Sequence, residues 1–200
     1  MEINVVGLQD LLNTFSEEDV QNILKEFKSI PNHETNEQND VECFLHNKAI
    51  NFENMAWATT HLAFVELEKP VLVGYFSFAN RPLKMTKKNF EKLSNTQKKK
   101  LLKYGRREEN FVEINSYLIG QLGKNYNLDD SIKQEVTGNK LLAIAYKMLV
   151  DIVKVVNVKY VWVECEDSEK LLDFYKEFGF NLIENYRGDN ELNVLIMKIQ

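Results

Sequence analysis

The stretch from Tyr117 to Val150, YLIGQLGKNYNLDDSIKQEVTGNKLLAIAYKMLV, decides the fold. Ser116 to Leu122 is a short apolar run with Gly120 inside it and Gly123 just beyond. That is the pattern of a buried strand with a glycine where another group approaches the backbone. Polar residues follow from Lys124 to about Glu135, then Thr137 and Gly138, and a helix is expected from about Asn139. Leu141, Leu142, Ala145, Met148 and Leu149 recur at helical spacing and give that helix one apolar face. The first N–H groups of a helix lack internal partners, and the dipole there favours an anion. Strand, polar loop, glycine and helix start is therefore a layout that can hold a phosphate. One glycine at a helix start is also an ordinary connection and decides nothing alone.

Val156–Cys165 (VNVKYVWVEC) reads as a second buried strand. Glu166–Phe180 follows as a helix, with Asp167 or Ser168 as its cap. Leu171, Phe174, Tyr175 and Phe178 share one face, and Gly179 stops it.

Phe174-Tyr175 followed by Phe178-Gly179-Phe180 resembles the FY…GF motif of the GNAT superfamily of N-acetyltransferases. Leu118 to Leu142 resembles that family's strand, pyrophosphate loop and helix, and the likeness covers roughly residues 40–200. It implies an α/β fold: a mixed, mostly antiparallel central sheet with helices on both faces and a V-shaped splay between two central parallel strands. It also implies acetyl-CoA as cofactor. In that family's terms the backbone of Leu118, Ile119, Gly120, Gln121 and Leu122 holds the pantetheine arm and polarises the thioester carbonyl. The amides of Thr137, Gly138, Asn139 and Lys140 take the pyrophosphate, and Tyr175 protonates the leaving thiolate. As a packing residue instead, Tyr175 is one more core aromatic of its helix face. The family's phosphate loop is usually [QR]-x-x-G-x-[GA]. With Gly138 at the last position, Lys133 stands at the Gln/Arg position and Val136 at the first glycine. Lys133 and Lys140 can supply charge to phosphates in partial compensation.

The rest of the chain suits one soluble domain over residues 1–200, with an N-terminal strand, helix and loop over 1–40 and a basic insertion at 81–107. Hydrophobic residues make 44% and charged residues 28%, a globular balance. Cys43 and Cys165 offer neither metal spacing nor a disulfide framework. No leader and no membrane-length apolar run is visible, so a cytoplasmic protein is expected. Ile3–Leu8 reads as a first strand, and Ser16-Glu17-Glu18-Asp19 opens a helix burying Val20, Ile23, Leu24 and Phe27. Pro31–Asp40, with His33, reads as a polar loop, and Val41–Ala56 as one helix with Phe44, Leu45 and Ala49 inward. His46 and Glu53 on that helix are either surface residues or acceptor contacts. Thr60–Glu68 and Val71–Ala79 read as strands joined at Lys69-Pro70, with His61 a structural histidine. Asn181–Tyr186 and Leu192–Ile199 read as a closing hairpin turning at Arg187-Gly188-Asp189-Asn190. Glu113 and Glu164 are the candidate general bases.

Arg81–Arg107 breaks the composition. It holds eleven lysines and arginines against Glu91 alone, a net +10, so the remainder of this −5 chain carries −15. Phe90, Leu93, Leu101 and Leu102 can make it a solvated helix with an inner side. The sharper reading, not the favoured one, is a basic patch facing a polyanion.

Three readings follow. The first is an N-acetyltransferase of GNAT fold acting on an unidentified amine. The second is narrower. Phe44-Leu45, Val73–Ala79 (VGYFSFA) and Tyr117–Leu122 (YLIGQL) resemble the layout of GNAT toxins, which acetylate aminoacyl-tRNA and whose strands read VVGYYSLA and LLGRLAV. This chain has Gln121 where those toxins usually carry arginine, and a sparser glycine loop. The third reading is a non-catalytic interaction module. No metal is expected, and the assembly is left open between monomer and homodimer.

Overall fold

The computed structural model describes residues 1–30, 39–188 and 191–200. The chain begins β1 (Asn4–Gly7), α1 (Leu8–Thr14), α2 (Glu17–Lys25), α3 (Asp40–Asn47) and α4 (Ala49–Asn54). It continues through β2 (Thr59–Glu66), β3 (Pro70–Ala79), β4 (Leu83–Thr86), α5 (Lys87–Glu91) and α6 (Asn95–Leu102). Then come β5 (Gly105–Arg107), β6 (Phe111–Ile114), β7 (Ser116–Lys124), α7 (Asp130–Glu135) and α8 (Gly138–Val155). It closes with β8 (Tyr160–Cys165), α9 (Glu169–Phe178), β9 (Asn181–Arg187) and β10 (Asn193–Lys198). Seven strands form one sheet in the order β1-β2-β3-β7-β8-β10-β9, and β4-β6-β5 form a second. Helices accompany a mixed, mostly antiparallel sheet, as expected. Its parallel pair is β7 with β8, in register over Ser116–Leu118 and Tyr160–Trp162.

The chain forms two compact units, Met1–Ala79 with Gly120–Tyr146, and Asn80–Ile119 with Lys147–Gln200. The first is built on the β2–β3 hairpin, antiparallel from Thr59 opposite Phe78 to Glu66 opposite Pro70. Ser16 caps α2 by accepting from the Asp19 N–H at 3.2 Å, and three acids fill its first turn. Val20, Leu24 and Phe27 then pack with Leu8, Phe44, Leu45 and Tyr75, all buried. A second cluster joins Ala63, Val65 and Val73 of the hairpin to Ile132, Val136 and Leu141. The second unit has the β8–β10–β9 antiparallel strands and the small sheet, with Val112, Ile114, Val161, Val163 and Leu195 buried.

Several expectations are corrected. Residues 41–56 form two helices, because Lys48 leaves helical geometry at φ −126°. Helix α1 follows the first strand directly. Residues 81–107 form β4, α5, α6 and β5 rather than one solvated helix. Thr86 and Ser94 each cap a new short helix by accepting an N–H three residues on. The polar run after β7 contains α7, and the strand expected from Val156 starts only at Tyr160 because α8 runs to Val155. Ser168 occupies the N-cap position of α9 without a side-chain bond, and Asp167 instead accepts from Arg187 and Asn193. Leu171, placed on the inner face of α9, is 37% exposed. Gly179 ends α9 at φ +119°, a conformation glycine adopts at no steric cost. The loop residues 31–38 with His33, and Asp189-Asn190 of the last turn, lie outside the described residues.

Candidate active site

In the first unit the second half of β7 leads to the start of α8. Asn125 closes the strand. Its N–H donates to Val73 O at 2.9 Å. Its side-chain oxygen accepts from the N–H groups of Lys28 and Asn127, and its side-chain nitrogen donates to the carbonyls of Leu72 and Glu26. All four amide valences are used in a residue only 2% exposed. Lys124 Nζ donates to the Lys133 carbonyl at 2.5 Å, and burial, then the charge of Lys133, lowers its pKa. Gly120 is exposed, and a Cβ there would stand 3.3 Å from Ser77 Oγ.

Val136 sits at φ −92°, ψ 105° after α7, and its N–H donates to Ile132 O at 2.9 Å. It is 1% exposed, packed with Ile132 and Leu141. The side chain that departs from the family's glycine is thus absorbed by the core. Thr137 caps α8: its Oγ1 accepts from the Lys140 N–H at 3.2 Å. Lys140 Nζ donates to the Glu135 carbonyl at 2.6 Å, and Lys133 Nζ lies 3.5 Å from Asp130. Among the described residues, nothing accepts from the N–H groups of Gly138 or Asn139. Two open amides, the positive end of an 18-residue helix with no acid in its first turn, and Lys140 beside them fit an anionic diphosphate. Leu122 packs against the core, and Gln121 is half-buried.

In the second unit Leu118 and Ile119 are buried in the first half of β7, and Leu118 pairs with Trp162. Tyr175 lies on α9, 9% exposed, edge-on to Phe174 at 4.9 Å and Phe180 at 5.6 Å. Its ring is a core aromatic; a proton-donor role rests on its hydroxyl. Glu164, half-buried on β8, lines a cavity of about 330 Å³ with Arg81, Lys84, Trp162, Tyr186 and Gly188. Trp162 Nε1 donates to the Arg81 carbonyl at 2.9 Å, and Tyr186 Oη to the Lys84 carbonyl at 3.1 Å. Glu113 lines a different cavity, on β6. Lys84 and Arg106 flank it at 3.0 and 2.8 Å, and the hydrogen bond from Lys84 leads in holding its carboxyl below the usual range. The two candidate bases line different cavities, and its cations make Glu113 a weaker base than an ordinary glutamate. Sequence reasoning missed Arg81, Trp162 and Tyr186 as neighbours of Glu164. The one available signal was Trp162 two residues before it on a strand, hence on the same face.

His46 and Glu53, in the first unit, have structural partners. His46 Nε2 lies 3.0 Å from the Phe27 carbonyl, and Glu53 accepts the Thr60 N–H at 2.7 Å. His61 lies against Phe76 and Phe78. Among the described residues no three His, Cys, Asp or Glu side chains could hold a metal, and no helix is long and apolar enough to cross a membrane.

No family model and no curated protein matches the sequence. Solved structures match the fold. AtaT complexed with acetyl-methionyl-tRNAfMet superposes at TM-score 0.63, with 18% identity over 98% of this chain and 95% of that one. A tyrosine-to-phenylalanine mutant of KacT gives 0.64, with 15% identity over 100% and 96%. An AtaT mutant bound to acetyl-CoA and the C-terminus of the antitoxin AtaR gives 0.61, with 16% identity over 100% and 94%. The chain has the GNAT fold.

Proposed function

We propose that this chain is an acetyl-CoA-dependent N-acetyltransferase whose acceptor is the amino group of an aminoacyl-tRNA. The observation that carries the reading is the start of α8, where Thr137 caps the helix and the Gly138 and Asn139 amides stay open beside Lys140. Acetyl-CoA, when bound, supplies the acetyl group as a thioester. The Gly138 and Asn139 amides and Lys140 would hold its pyrophosphate, and the β7 backbone from Leu118 to Leu122 would orient and polarise the carbonyl. Glu164, through a water, takes the proton that the attacking amine must lose. Tyr175 would supply its hydroxyl proton to the leaving thiolate. Arg81, which lines the Glu164 cavity, supplies positive charge for a phosphate of the acceptor.

The tRNA acceptor and a protein antitoxin as partner are the finer part of this reading. They are supported by what AtaT is seen with, and by the +10 insertion of an otherwise acidic chain. In this reading residues 1–200 act as one catalytic domain in the cytoplasm.

Calorimetry with acetyl-CoA tests the first step. Wild type should bind saturably, and Gly138→Asp, which sets a carboxylate among the open amides, should lose binding. Acetyl transfer to charged tRNA, followed by mass spectrometry, tests the second. No binding at millimolar acetyl-CoA would overturn the enzyme and leave an interaction module.

A further inference from the structure

The basic insertion carries a hollow that acetyl transfer does not use. It measures about 430 Å³ and is lined by Tyr104, Gly105, Arg106, Glu113 and Asn115. Two features build it. The Tyr104 N–H closes on Leu101 O at 3.2 Å, so the tyrosine leaves α6 directly into β5. The β5–β6 pairing then sets Gly105 opposite Ile114 and Arg106 opposite Glu113. A Cβ at Gly105 would stand 2.7 Å from the backbone carbonyl of Glu113, so the strand starts there only with glycine.

The Tyr104 ring stands edge-on to Tyr160, 5.9 Å away, which holds it in place. Two ammonium groups, of Lys103 and Lys198, each lie over it at 5.5 Å from its centroid, on exposed, flexible side chains that an incoming base would displace toward its own phosphates. The acids nearby are already matched: Glu113 by Lys84 and Arg106, Glu108 by Arg106. Lys99, Lys100 and Lys103 have no acidic partner among the described residues. An aromatic ring fixed beside a hollow and flanked by unneutralised ammoniums has the parts of a stacking platform. The ring takes a base, and the ammoniums take the phosphates on either side of it. Duplex bases keep their faces covered by stacking, so the ligand must offer an unpaired nucleotide.

We propose that Tyr104, with Lys103 and Lys198, is a binding site for an unpaired nucleotide of RNA. It rests on the aminoacyl-tRNA reading for its natural ligand, which offers such nucleotides at its single-stranded end. Binding can nevertheless be measured without acetyl-CoA or an aminoacyl group, so the two proposals fail separately.

The experiment is fluorescence anisotropy of a labelled single-stranded RNA 12-mer, a blunt RNA duplex of the same length and a DNA 12-mer, across a salt series. Wild type should prefer the single-stranded RNA. Tyr104→Ala should weaken binding about tenfold, and Tyr104→Trp should keep it. Lys103→Gln with Lys198→Gln, both exposed and so safe for folding, should lower the slope of log affinity on log salt by about 1.4. No binding by wild type, equal binding by Tyr104→Ala, an unchanged slope in the double variant, or equal affinity for the blunt duplex would each overturn the proposal. A DNA 12-mer bound as tightly as RNA would overturn the assignment to RNA. Charged tRNA left unacetylated by wild type would instead strike the acetyl-transfer reading and leave the binding result standing.

Discussion

The hydroxyl oxygen of Thr137 accepts the backbone N–H of Lys140 at 3.2 Å, and this one bond fixes where α8 begins. Without it a third amide opens and the first turn loosens. Thr137→Ala should cost about 1 kcal/mol in urea unfolding, and Thr137→Ser should recover most of it. Equal stability of Thr137→Ala and wild type would show that the cap contributes nothing.

Val136 tests the other side of the same turn. Its side chain is core, with Ile132 and Leu141. Val136→Ala should lose about 2 kcal/mol. Val136→Gly installs the glycine of the phosphate-loop motif yet should lose more, and its acetyl-CoA affinity by calorimetry should not exceed that of wild type. Tighter binding by the glycine variant would mean that valine obstructs the phosphate.

Tyr175→Phe keeps the ring contacts with Phe174 and Phe180 and removes only the hydroxyl. The proposed proton transfer predicts a fall in kcat of about 10²–10⁴ with acetyl-CoA affinity unchanged. Unaltered turnover would place the acid elsewhere.

A methyl group at position 188 would overlap the Glu164 carboxylate. Gly188→Ala must therefore displace Glu164 from the position it takes beside Trp162 and Tyr186. Acetyl transfer should drop at least as far as in Glu164→Gln, while cofactor binding holds. Full activity in both variants would remove Glu164 from the mechanism.

His61 gives the chain a pH signature. Burial, opposed by Asp10, lowers its pKa below 6.5. A depressed folded pKa contributes stability that is present above 6.5 and lost as pH falls through the folded value. Glu53 works the other way, since burial raises its pKa and its contribution is lost as pH rises. The urea midpoint of His61→Gln should thus fall less than that of wild type between pH 7 and pH 5. Parallel curves would show that His61 does not titrate with folding.

Periodicity and motif carried β7, α8, α9 and the closing hairpin, because each buries a face long enough to set a period. The insertion and α7 were hidden for a physical reason. Helices of five to eight residues bury one side chain each, Phe90, Leu101 or Ile132, too few to mark a period among lysines and aspartates. The Glu164 cavity was hidden differently. Arg81, Trp162 and Tyr186 come from separate segments, and long-range contacts such as the Trp162 hydrogen bond to the Arg81 carbonyl, not spacing, bring them together. The start of α8 was legible because capping and dipole act within one turn.

Asn125 ties the chain's chemical lifetime to its fold. An aspartate there would match its shape but could not donate, so the carbonyls of Leu72 and Glu26 would each face a negative oxygen. Deamidation makes that change without any mutation. The folded chain shields the amide, holding all its valences and leaving it 2% exposed, whereas the unfolded chain does not. Each long excursion to the unfolded state thus risks a lesion that the native state then disfavours, and time spent folded is what preserves the ability to fold again.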